Sequence, residues 1–347
     1  MVIQLVSTVD YLAYCLVLID SLKLNGFDAR FSILITDIKF DLKEYISDKL
    51  GRKIEILICE DLSTCKELSI MRNYYSKVEF NAASKIHAIY HQLFFNNNDS
   101  CLFLDADMIC LADFSDKLVI KKDILLTPHT IAPFPEDAQY PNNLQIFLYG
   151  HINAGFIFVK KSNDTLKCLE WLLKNTKYNW FLALDNGMSV DQQWLSSLIY
   201  FYNHITEIAF DDTINIAYWN LHERKLILKD SIYYVNNKRA ALVHFSGFKY
   251  NLKDPIFTIH PHRKFDYNTE VAINILTREY AEKVFLAKKE LLNISEDISF
   301  CKKSSSERMK IAEDIWNVKY KIFGENTYSI NQMIKGIFYK ILQKFKY

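Results

Sequence analysis

The segment at residues 101–110, CLFLDADMIC, constrains the fold more than any other stretch of the chain. Its first four residues are apolar, follow the polar residues 96–100, and lead directly into Asp105 and Asp107, two carboxylates one residue apart. A short apolar run bounded in this way is typical of a β-strand buried on both faces. Ligands of open α/β sheets bind at the carboxyl ends of such strands, so the two aspartates are candidate site residues.

Strand and helix patterns alternate before that segment. The predicted strands occupy residues 2–6, 31–36 and 54–59. The predicted helices occupy residues 11–24, 40–50 and 80–95. Asp10 can cap the first of these helices, and Asn25 with Gly26 can end it. Because this alternation is typical of parallel βαβ units, we expect an α/β fold with a mostly parallel central sheet flanked by helices.

The pattern is less regular after residue 110. Strands are predicted at residues 151–159, 214–221, 232–235 and 241–245, and helices at residues 166–173, from Asp191 onward, at 270–292 and at 306–322. Three of the six prolines lie at residues 125–135, which we expect to form an ordered loop. Gly155, inside a predicted strand, indicates a bulge or a close approach by another group. Long helices dominate after about residue 254, so we expect an α/β domain at residues 1–253 and a helical extension at 254–347.

Composition and charge exclude several classes of protein. The 42 Lys and Arg residues nearly balance the 41 Asp and Glu residues, so no global positive field would attract nucleic acid. The apolar run at residues 11–19 ends at Asp20 and lacks a basic leader, which makes it neither a signal peptide nor a membrane span. The seven scattered cysteines include no C-x-x-C and favour free thiols over disulfides or a zinc site. We therefore expect a cytoplasmic protein.

The last segment, residues 330–347, has the pattern of a basic amphipathic helix. Six apolar residues share one side of it, and four lysines are interspersed. Such a helix would lie on the anionic inner face of a membrane as a peripheral contact. Alternatively, it would pack on the body of the protein with its lysines in solvent, and the pattern favours neither arrangement.

One pair of histidines also has metal-ligand spacing. His87 and His91 lie four residues apart on the predicted helix at residues 80–95. No third ligand and no H-E-x-x-H motif lies beside them, so we expect both to belong to a packed or surface helix.

Four groups of polar residues adjoin predicted strand ends and would meet at one edge of the sheet. They are Asp105 with Asp107, Asn153-Ala-Gly155, Asp191-Gln192, and His244-Phe-Ser-Gly247. Two carboxylates and an imidazole would hold a divalent cation that neutralises a diphosphate, and the imidazole favours Mn²⁺ modestly over Mg²⁺. Gly247 would let backbone amides approach a phosphate. Asn153, Asp191 and Gln192 suit the hydroxyls of a sugar.

These motifs resemble glycosyltransferase family 8, the glycogenin and lipopolysaccharide galactosyl- and glucosyltransferase group. The resemblance rests on LFLDADM preceded by a helix with Ser84-Lys85, and on the order of D-x-D, N-x-G, D-Q and a late H-x-x-G. Certain bacterial glycosyltransferases are more similar still, because they carry D-Q-x-W, Y-N-x-A-Y-W-N-L-x-x-R and H-F-S-G-F. In this chain those motifs lie at residues 191–194, 214–224 and 244–248, with Ile214 in place of the tyrosine that begins the second motif. The resemblance extends from residue 2 to about residue 248.

The resemblance implies a GT-A fold and a retaining transfer from a nucleotide-sugar donor, usually UDP-linked. The acceptor would be a saccharide or a lipid-linked glycan in surface polysaccharide or lipopolysaccharide assembly. The implied ligands of Mn²⁺ (or Mg²⁺) are Asp105, Asp107 and His244. The implied contacts to the nucleotide and its diphosphate are Ser7, Thr8, Tyr11, Lys85, Asp105, Ala106, Gly247 and Lys249. The implied contacts to the reacting sugar are Asn153, Asp191 and Gln192.

Two other functions remain open alternatives. A sugar nucleotidyltransferase has the same broad fold, but it needs a glycine-rich loop directly after the first strand, and the first glycine here is Gly26. A non-catalytic carbohydrate-binding protein would need only aromatic residues and an inert metal site. A dinucleotide oxidoreductase is disfavoured because the chain contains no G-x-G.

Overall fold

The structure is a computed structural model that describes residues 1–50, 54–247, 265–291, 294–296 and 298–316, and the backbone of residues 249–250 and 257–258. Its strands are β1 Val2–Ser7, β2 Arg30–Ile35, β3 Ile54–Leu57, β4 Ser100–Leu104, β5 Met108–Cys110, β6 Ile124–Pro128, β7 Ile152–Lys160, β8 Leu182–Ala183, β9 Met188–Ser189, β10 Thr206–Ile208, β11 Leu226–Lys229, β12 Ile232–Val235, β13 Lys238–Arg239, β14 Leu242–His244, β15 Lys249–Tyr250 and β16 Phe257–Thr258. Its α-helices are α1 Leu12–Leu24, α2 Phe40–Leu50, α3 Cys65–Met71, α4 Lys77–Tyr90, α5 Asn143–Tyr149, α6 Asn163–Thr176, α7 Val190–Phe201, α8 Tyr267–Glu290 and α9 Ser305–Trp316.

The central sheet has the strand order β10-β6-β7-β4-β1-β2-β3. β4, β1, β2 and β3 pair in parallel, as do β10 and β6, whereas β7 runs antiparallel to both of its neighbours. The parallel strands therefore end at one common edge, where loops from several parts of the chain can meet. A mostly parallel sheet flanked by helices confirms the fold class expected from the sequence.

Alternate residues of the central strands face two separate cores. In β1, Ile3 and Leu5 face the core that contains α1 and α8. Val2 and Val6 face the opposite core, which contains α4, α6 and α7. β4 is likewise buried on both faces, as its apolar sequence predicts. Burying each large aliphatic side chain contributes about 1.5–3 kcal/mol, so the strand before Asp105 is among the most strongly anchored parts of the sheet.

Two secondary-structure expectations are wrong. Residues 214–221 form turns with one isolated bridge, from Ile216 to Val243, instead of a strand. The reason is that Asn215 has a φ of 55° and Asn220 bonds to backbone groups of other segments, so this stretch cannot extend. In addition, the expected loop at residues 125–135 begins as strand β6, which ends at Pro128. Proline is tolerated at that end because its missing N–H interrupts no later ladder bond.

Two described helices after residue 254, α8 and α9, pack against helices that flank the sheet. α8 lies against α1, and the ring of Tyr280 stacks on Phe245 at 4.0 Å between centroids. α9 contacts α4 through an ion pair between Arg308 and Glu79. The division at residues 253 and 254 stays a prediction, and the amphipathic segment at residues 330–347 lies outside the described residues. Among the helices that the structure describes, none has the length and apolar character needed to cross a bilayer.

Candidate active site

The two aspartates lie in the turn between β4 and β5, and backbone hydrogen bonds fix that turn at both ends. The backbone N–H of Asp105 donates to the carbonyl of Gly155 at 2.9 Å, and the carbonyl of Asp107 accepts from the N–H of Phe245 at 2.7 Å. β5 pairs antiparallel with β14, which places His244 opposite Met108. The turn therefore brings both carboxylates next to the imidazole of His244.

Asp105, Asp107 and His244 have the geometry of a metal site. Nε2 of His244 lies 3.1 Å from Oδ1 of Asp107 and 3.8 Å from Oδ2 of Asp105. One ligand atom from each of the three residues lies within 4.8 Å of the others. The imidazole is buried, whereas the two carboxylates are partly exposed. Two hard oxygen ligands and one imidazole fit Mn²⁺ or Mg²⁺, so the residues present fit the cation that the sequence predicts.

A buried asparagine sets the tautomer of His244. Nδ1 of His244 lies 3.1 Å from Oδ1 of Asn215, whose Nδ2 donates to Oγ1 of Thr127 at 3.1 Å. With its amide used in this way, Asn215 presents an acceptor to the ring, so Nδ1 carries a proton and Nε2 faces the carboxylates, where its lone pair would be available to a bound cation. Sequence analysis missed Asn215. Its signals in the sequence were its polar side chain within the apolar segment at residues 214–221 and its place in the motif at residues 214–224.

Gly155 provides the space in which the imidazole lies. A Cβ at this position would be 2.6 Å from Cε1 of His244 and 2.8 Å from Cε of Met108. The register of β6 against β7 also shifts between Leu126 and Thr127, opposite this part of β7. The expected bulge and the expected close approach are therefore both present, and both place β7 beside the site.

Lys85 lies between two carboxylates at the same edge of the sheet. Its Nζ is 2.9 Å from Oδ1 of Asp105 and 2.9 Å from Oδ2 of Asp191, and it donates to the carbonyl of Ala154 at 3.3 Å. Burial alone would lower the pKa of Lys85, but the two carboxylates raise it above its ordinary value. Lys85 is therefore a permanent cation next to the candidate metal site, and it links α4 to the start of α7.

The two aspartates of the turn have opposite pKa shifts. Burial raises the pKa of Asp105, and the nearby Lys85 only partly offsets it. Burial would also raise the pKa of Asp107, but the charge of His244 and its hydrogen bond bring the pKa below its ordinary value. Asp107 is therefore the more firmly ionised of the two carboxylates.

The residues predicted to contact the nucleotide lie at the carboxyl end of β1. The hydroxyls of Ser7 and Thr8 are buried and donate to the Thr8 carbonyl and to Asp10, respectively. The ring of Tyr11 is 46% exposed and stacks on Tyr14 at 5.0 Å between centroids. Burial, followed by the charge of Asp107, raises the pKa of Tyr11. Of Ser7, Thr8 and Tyr11, only Tyr11 is exposed, so its ring is accessible to a ligand.

A cleft of about 630 Å³ is lined by two of the predicted site residues. Its walls include the rings of Tyr140, Tyr149, Tyr218 and Trp219. Asn153 and Gln192, both predicted to contact a sugar, line it together with His129. Aromatic faces combined with a few polar groups are suited to the C–H faces and hydroxyls of a sugar ring.

His129 is a second buried imidazole that sequence analysis missed. Its Nδ1 lies 2.8 Å from the carbonyl of Gly150, which can only accept, so Nδ1 carries the proton. Its Nε2 then accepts from Nδ2 of Asn153 at 3.3 Å. Burial lowers the pKa of His129 to about 4, so the ring is neutral at physiological pH. Trp219 packs edge-on against both His129 and His244, with ring centroids 5.5 and 5.3 Å apart.

The motif at residues 217–224 holds these imidazoles in place. Nδ2 of Asn220 donates to the carbonyls of His129 and Asn215, both at 3.0 Å. Nη1 of the buried Arg224 donates to the carbonyl of Ile214 at 2.6 Å. These hydrogen bonds therefore hold the backbone next to the two imidazoles, although the sequence indicated a strand at these residues.

The remaining predicted residues are placed as follows. Ala106 is buried between the two carboxylates, and Gly247 has a φ of 78° in the turn after β14. Lys249 is described by its backbone alone, so its side chain lies outside the described part of the chain. His87 lies between hydroxyls of Thr64 and Thr176, at 2.7 and 3.0 Å, which agrees with a packed helix. His91 accepts from the N–H of Ser63 at 3.1 Å.

Comparison with known proteins gives one relative by sequence. No family model matches the chain. The uncharacterized protein YfnF of Bacillus subtilis (strain 168) is 26% identical to it over 184 residues. The match covers 51% of this chain and 60% of YfnF. The chain thus spans less than two thirds of the length of this relative, whose name states no activity.

Several solved structures of glycosyltransferases are similar to the chain. The galactosyltransferase LgtC, in complex with donor and acceptor sugar analogues, has a TM-score of 0.48 at 13% identity, covering 86% of this chain and 98% of LgtC. GlyE of Streptococcus pneumoniae TIGR4 has a TM-score of 0.45 at 13% identity, covering 85% and 66%. Mouse xyloside xylosyltransferase 1 has a TM-score of 0.40 at 12% identity, covering 70% and 97%. At scores below 0.5, the function has to be argued from the site itself.

Proposed function

We propose that this chain is a metal-dependent glycosyltransferase of the GT-A fold. It moves a sugar from a nucleotide-diphosphate donor, in which the sugar is linked to UDP, to a saccharide or lipid-linked acceptor. The observation that carries the proposal is the cluster of Asp105, Asp107 and His244, with Lys85 beside it and an aromatic cleft lined by Asn153 and Gln192. A metal site next to a permanent cation and a sugar-sized cleft is what transfer from a diphosphate donor requires.

The charges of the site support a diphosphate ligand. A divalent cation held by Asp105, Asp107 and His244 would supply positive charge that offsets the charge developing on a departing diphosphate. Lys85 adds a fixed positive charge at the same edge, 2.9 Å from Asp105. Tyr11 presents an exposed ring at the end of β1, on which the nucleotide base can stack.

The sugar of the donor would lie between the metal site and the cleft. Asn153, Asp191 and Gln192 would bind its hydroxyls, and the neutral Nε2 of His129, which accepts from Nδ2 of Asn153, would orient that amide. Retention with front-face attack follows from the resemblance to family 8, as do the roles of Gly247 and Lys249 at the phosphates. Asp191, buried beside Lys85, would stabilise the positive charge that develops on the sugar ring.

The same resemblance suggests a biological setting. We infer a saccharide or lipid-linked glycan acceptor in surface polysaccharide or lipopolysaccharide assembly. A cytoplasmic enzyme whose basic tail, residues 330–347, rests on the inner face of the membrane would meet such acceptors. Liposome binding by the full chain and by a chain ending at residue 329 tests the tail, and equal binding would leave it as a packing element.

A panel of nucleotide sugars incubated with Mn²⁺ tests the function. We expect one donor to be hydrolysed with release of its nucleoside diphosphate, and we expect NMR of the transfer product to show the donor's anomeric configuration. Asp107→Ala should abolish the metal-dependent turnover. Release of pyrophosphate would instead indicate a nucleotidyltransferase. Saccharide binding without turnover of any donor would indicate a carbohydrate-binding protein.

A further inference from the structure

Glu79 is a fully buried carboxylate that joins three parts of the chain. Its Oε2 accepts from the N–H and the hydroxyl of Ser76, both at 2.8 Å, and so caps the start of α4. Its Oε1 accepts from the N–H of Leu182 at 2.9 Å. Arg308 of α9 donates to both oxygens, at 3.1 Å from Nε and 2.7 Å from Nη2. The guanidinium is the cation that neutralises Glu79 in this buried setting.

The two segments that meet on Glu79 carry Lys85 and Asp191, which form an ion pair in the site. α4 carries Lys85, six residues after Glu79. Leu182 begins the β8–β9 hairpin, which pairs Leu182 with Ser189 and leads directly into α7 and Asp191. The carboxylate of Glu79 thus holds together the segment before Lys85 and the segment before Asp191. Further along, Nζ of Lys85 lies 2.9 Å from Oδ2 of Asp191.

The backbone next to Asp191 is strained. Val190 has a φ of 39°, a region that a β-branched residue rarely adopts. Such a conformation persists only when the surrounding structure holds it. Here the N–H of Val190 donates to the carbonyl of Phe181 at 3.1 Å, and Phe181 immediately precedes the N–H that Glu79 binds.

We propose that Arg308 is a positioning residue of the site: through Glu79, it holds the hairpin that presents Asp191 to Lys85. Helix α9 is then part of the catalytic unit, although none of its described residues lines the cleft. Without Arg308, Glu79 is a buried carboxylate without its cation, and it must move toward solvent or take up a proton. Movement toward solvent releases the N–H of Leu182, and protonation weakens its hydrogen bond to Glu79, so either change lets the strained turn at Val190 relax. The catalytic part of this proposal rests on the proposed function.

Hydrogen exchange of the full chain tests the positional part without any substrate. In Arg308→Met we expect at least tenfold faster exchange at Leu182 and Val190, whereas Lys310→Met removes an exposed charge from the same helix and should change neither amide. Arg308→Lys keeps the charge but loses the bidentate hydrogen bonding to Glu79, so we expect an intermediate exchange rate. Unchanged exchange at Leu182 in Arg308→Met would overturn the proposal. If Arg308→Met does not fold, the same comparison of Arg308→Lys with wild type decides.

Kinetics test the catalytic part. Misplacement of a reacting group by about 1 Å can cost roughly 100-fold in rate. We therefore expect kcat of Arg308→Met to fall by about 10- to 100-fold, with less than about threefold change in the KM for the donor, because Tyr11 and the metal ligands do not contact Glu79. Arg308→Lys should recover part of the loss. An unchanged kcat in folded protein would overturn the proposal. If wild type transfers no sugar, the proposed function fails, while exchange at Leu182 still tests the link from Arg308.

Discussion

His244 can lie 3.1 Å from Asp107 only because position 155 has no side chain. The imidazole occupies the volume that a Cβ of residue 155 would need, so β7 and β14 approach each other at this point. The site therefore depends on the spacing of strands as much as on the ligands themselves.

Asp107→Asn should weaken Mn²⁺ binding by more than the roughly 100-fold that loss of an outer-shell partner causes, because it removes a ligand outright. Calorimetric titration of the full chain measures this change. Asp28→Asn is a matched control, since Asp28 is exposed and precedes β2 at the opposite edge of the sheet. Equal affinities for the two variants would contradict the metal site.

Asn215→Gly should weaken Mn²⁺ binding by about 10- to 100-fold, because His244 then loses the acceptor that sets its tautomer. Glycine tolerates the φ of 55° at this position, so the substitution removes the amide without adding backbone strain. Asn237→Gly makes the same change at an exposed residue with a φ of 66°. Titration of both variants with Mn²⁺ separates the loss of the hydrogen bond to His244 from the effect of an Asn-to-Gly change in itself. An unchanged affinity in Asn215→Gly would show that the hydrogen bond is not needed.

Gly155→Ala should destabilise the protein by about 1–3 kcal/mol and displace His244, because the new methyl overlaps Cε1 of the ring. Urea unfolding and Mn²⁺ titration measure the two consequences. Gly26→Ala provides the comparison, since Gly26 has a φ of 89° but open space around it. It should lower stability with no change in metal affinity. If Gly155→Ala binds Mn²⁺ like wild type, the close approach does not control the site.

The buried His87 should make the protein less stable in acid. Burial lowers the pKa of His87 to about 3, whereas the unfolded chain has an ordinary histidine pKa near 6.5. Below pH 6.5 the unfolded state binds a proton that the folded state does not, so this contribution to stability declines from about pH 6.5 toward pH 3. The decline between pH 7 and pH 5 is about 2 kcal/mol.

Urea unfolding of wild type and His87→Gln at pH 5 and pH 7 measures that contribution. The variant should lose less stability than wild type over this interval. His204→Gln, at an exposed histidine, should follow wild type. An equal pH dependence in wild type and His87→Gln would mean that the imidazole titrates freely in the folded state.

Patterns within single segments were enough to predict much of this architecture. The apolar run before Asp105 does form a strand buried on both faces, and the alternation of strands and helices does produce a mostly parallel sheet. Asp105 and Asp107 could be chosen as site residues because one residue separates them after the same strand. Burial and turn formation are local properties, and the amino-acid order reports them directly.

Relations between distant segments could not be read in this way. The stretch at residues 214–221 is apolar enough for a strand, but Asn215 and Asn220 bond to His244 and His129 and keep it in turns. The ion pair of Arg308 with Glu79 likewise joins residues with no shared local pattern. Such contacts depend on distances and angles between packed elements. Periodicity along one element carries no information about where another will lie, so these contacts came from the packing of the whole chain.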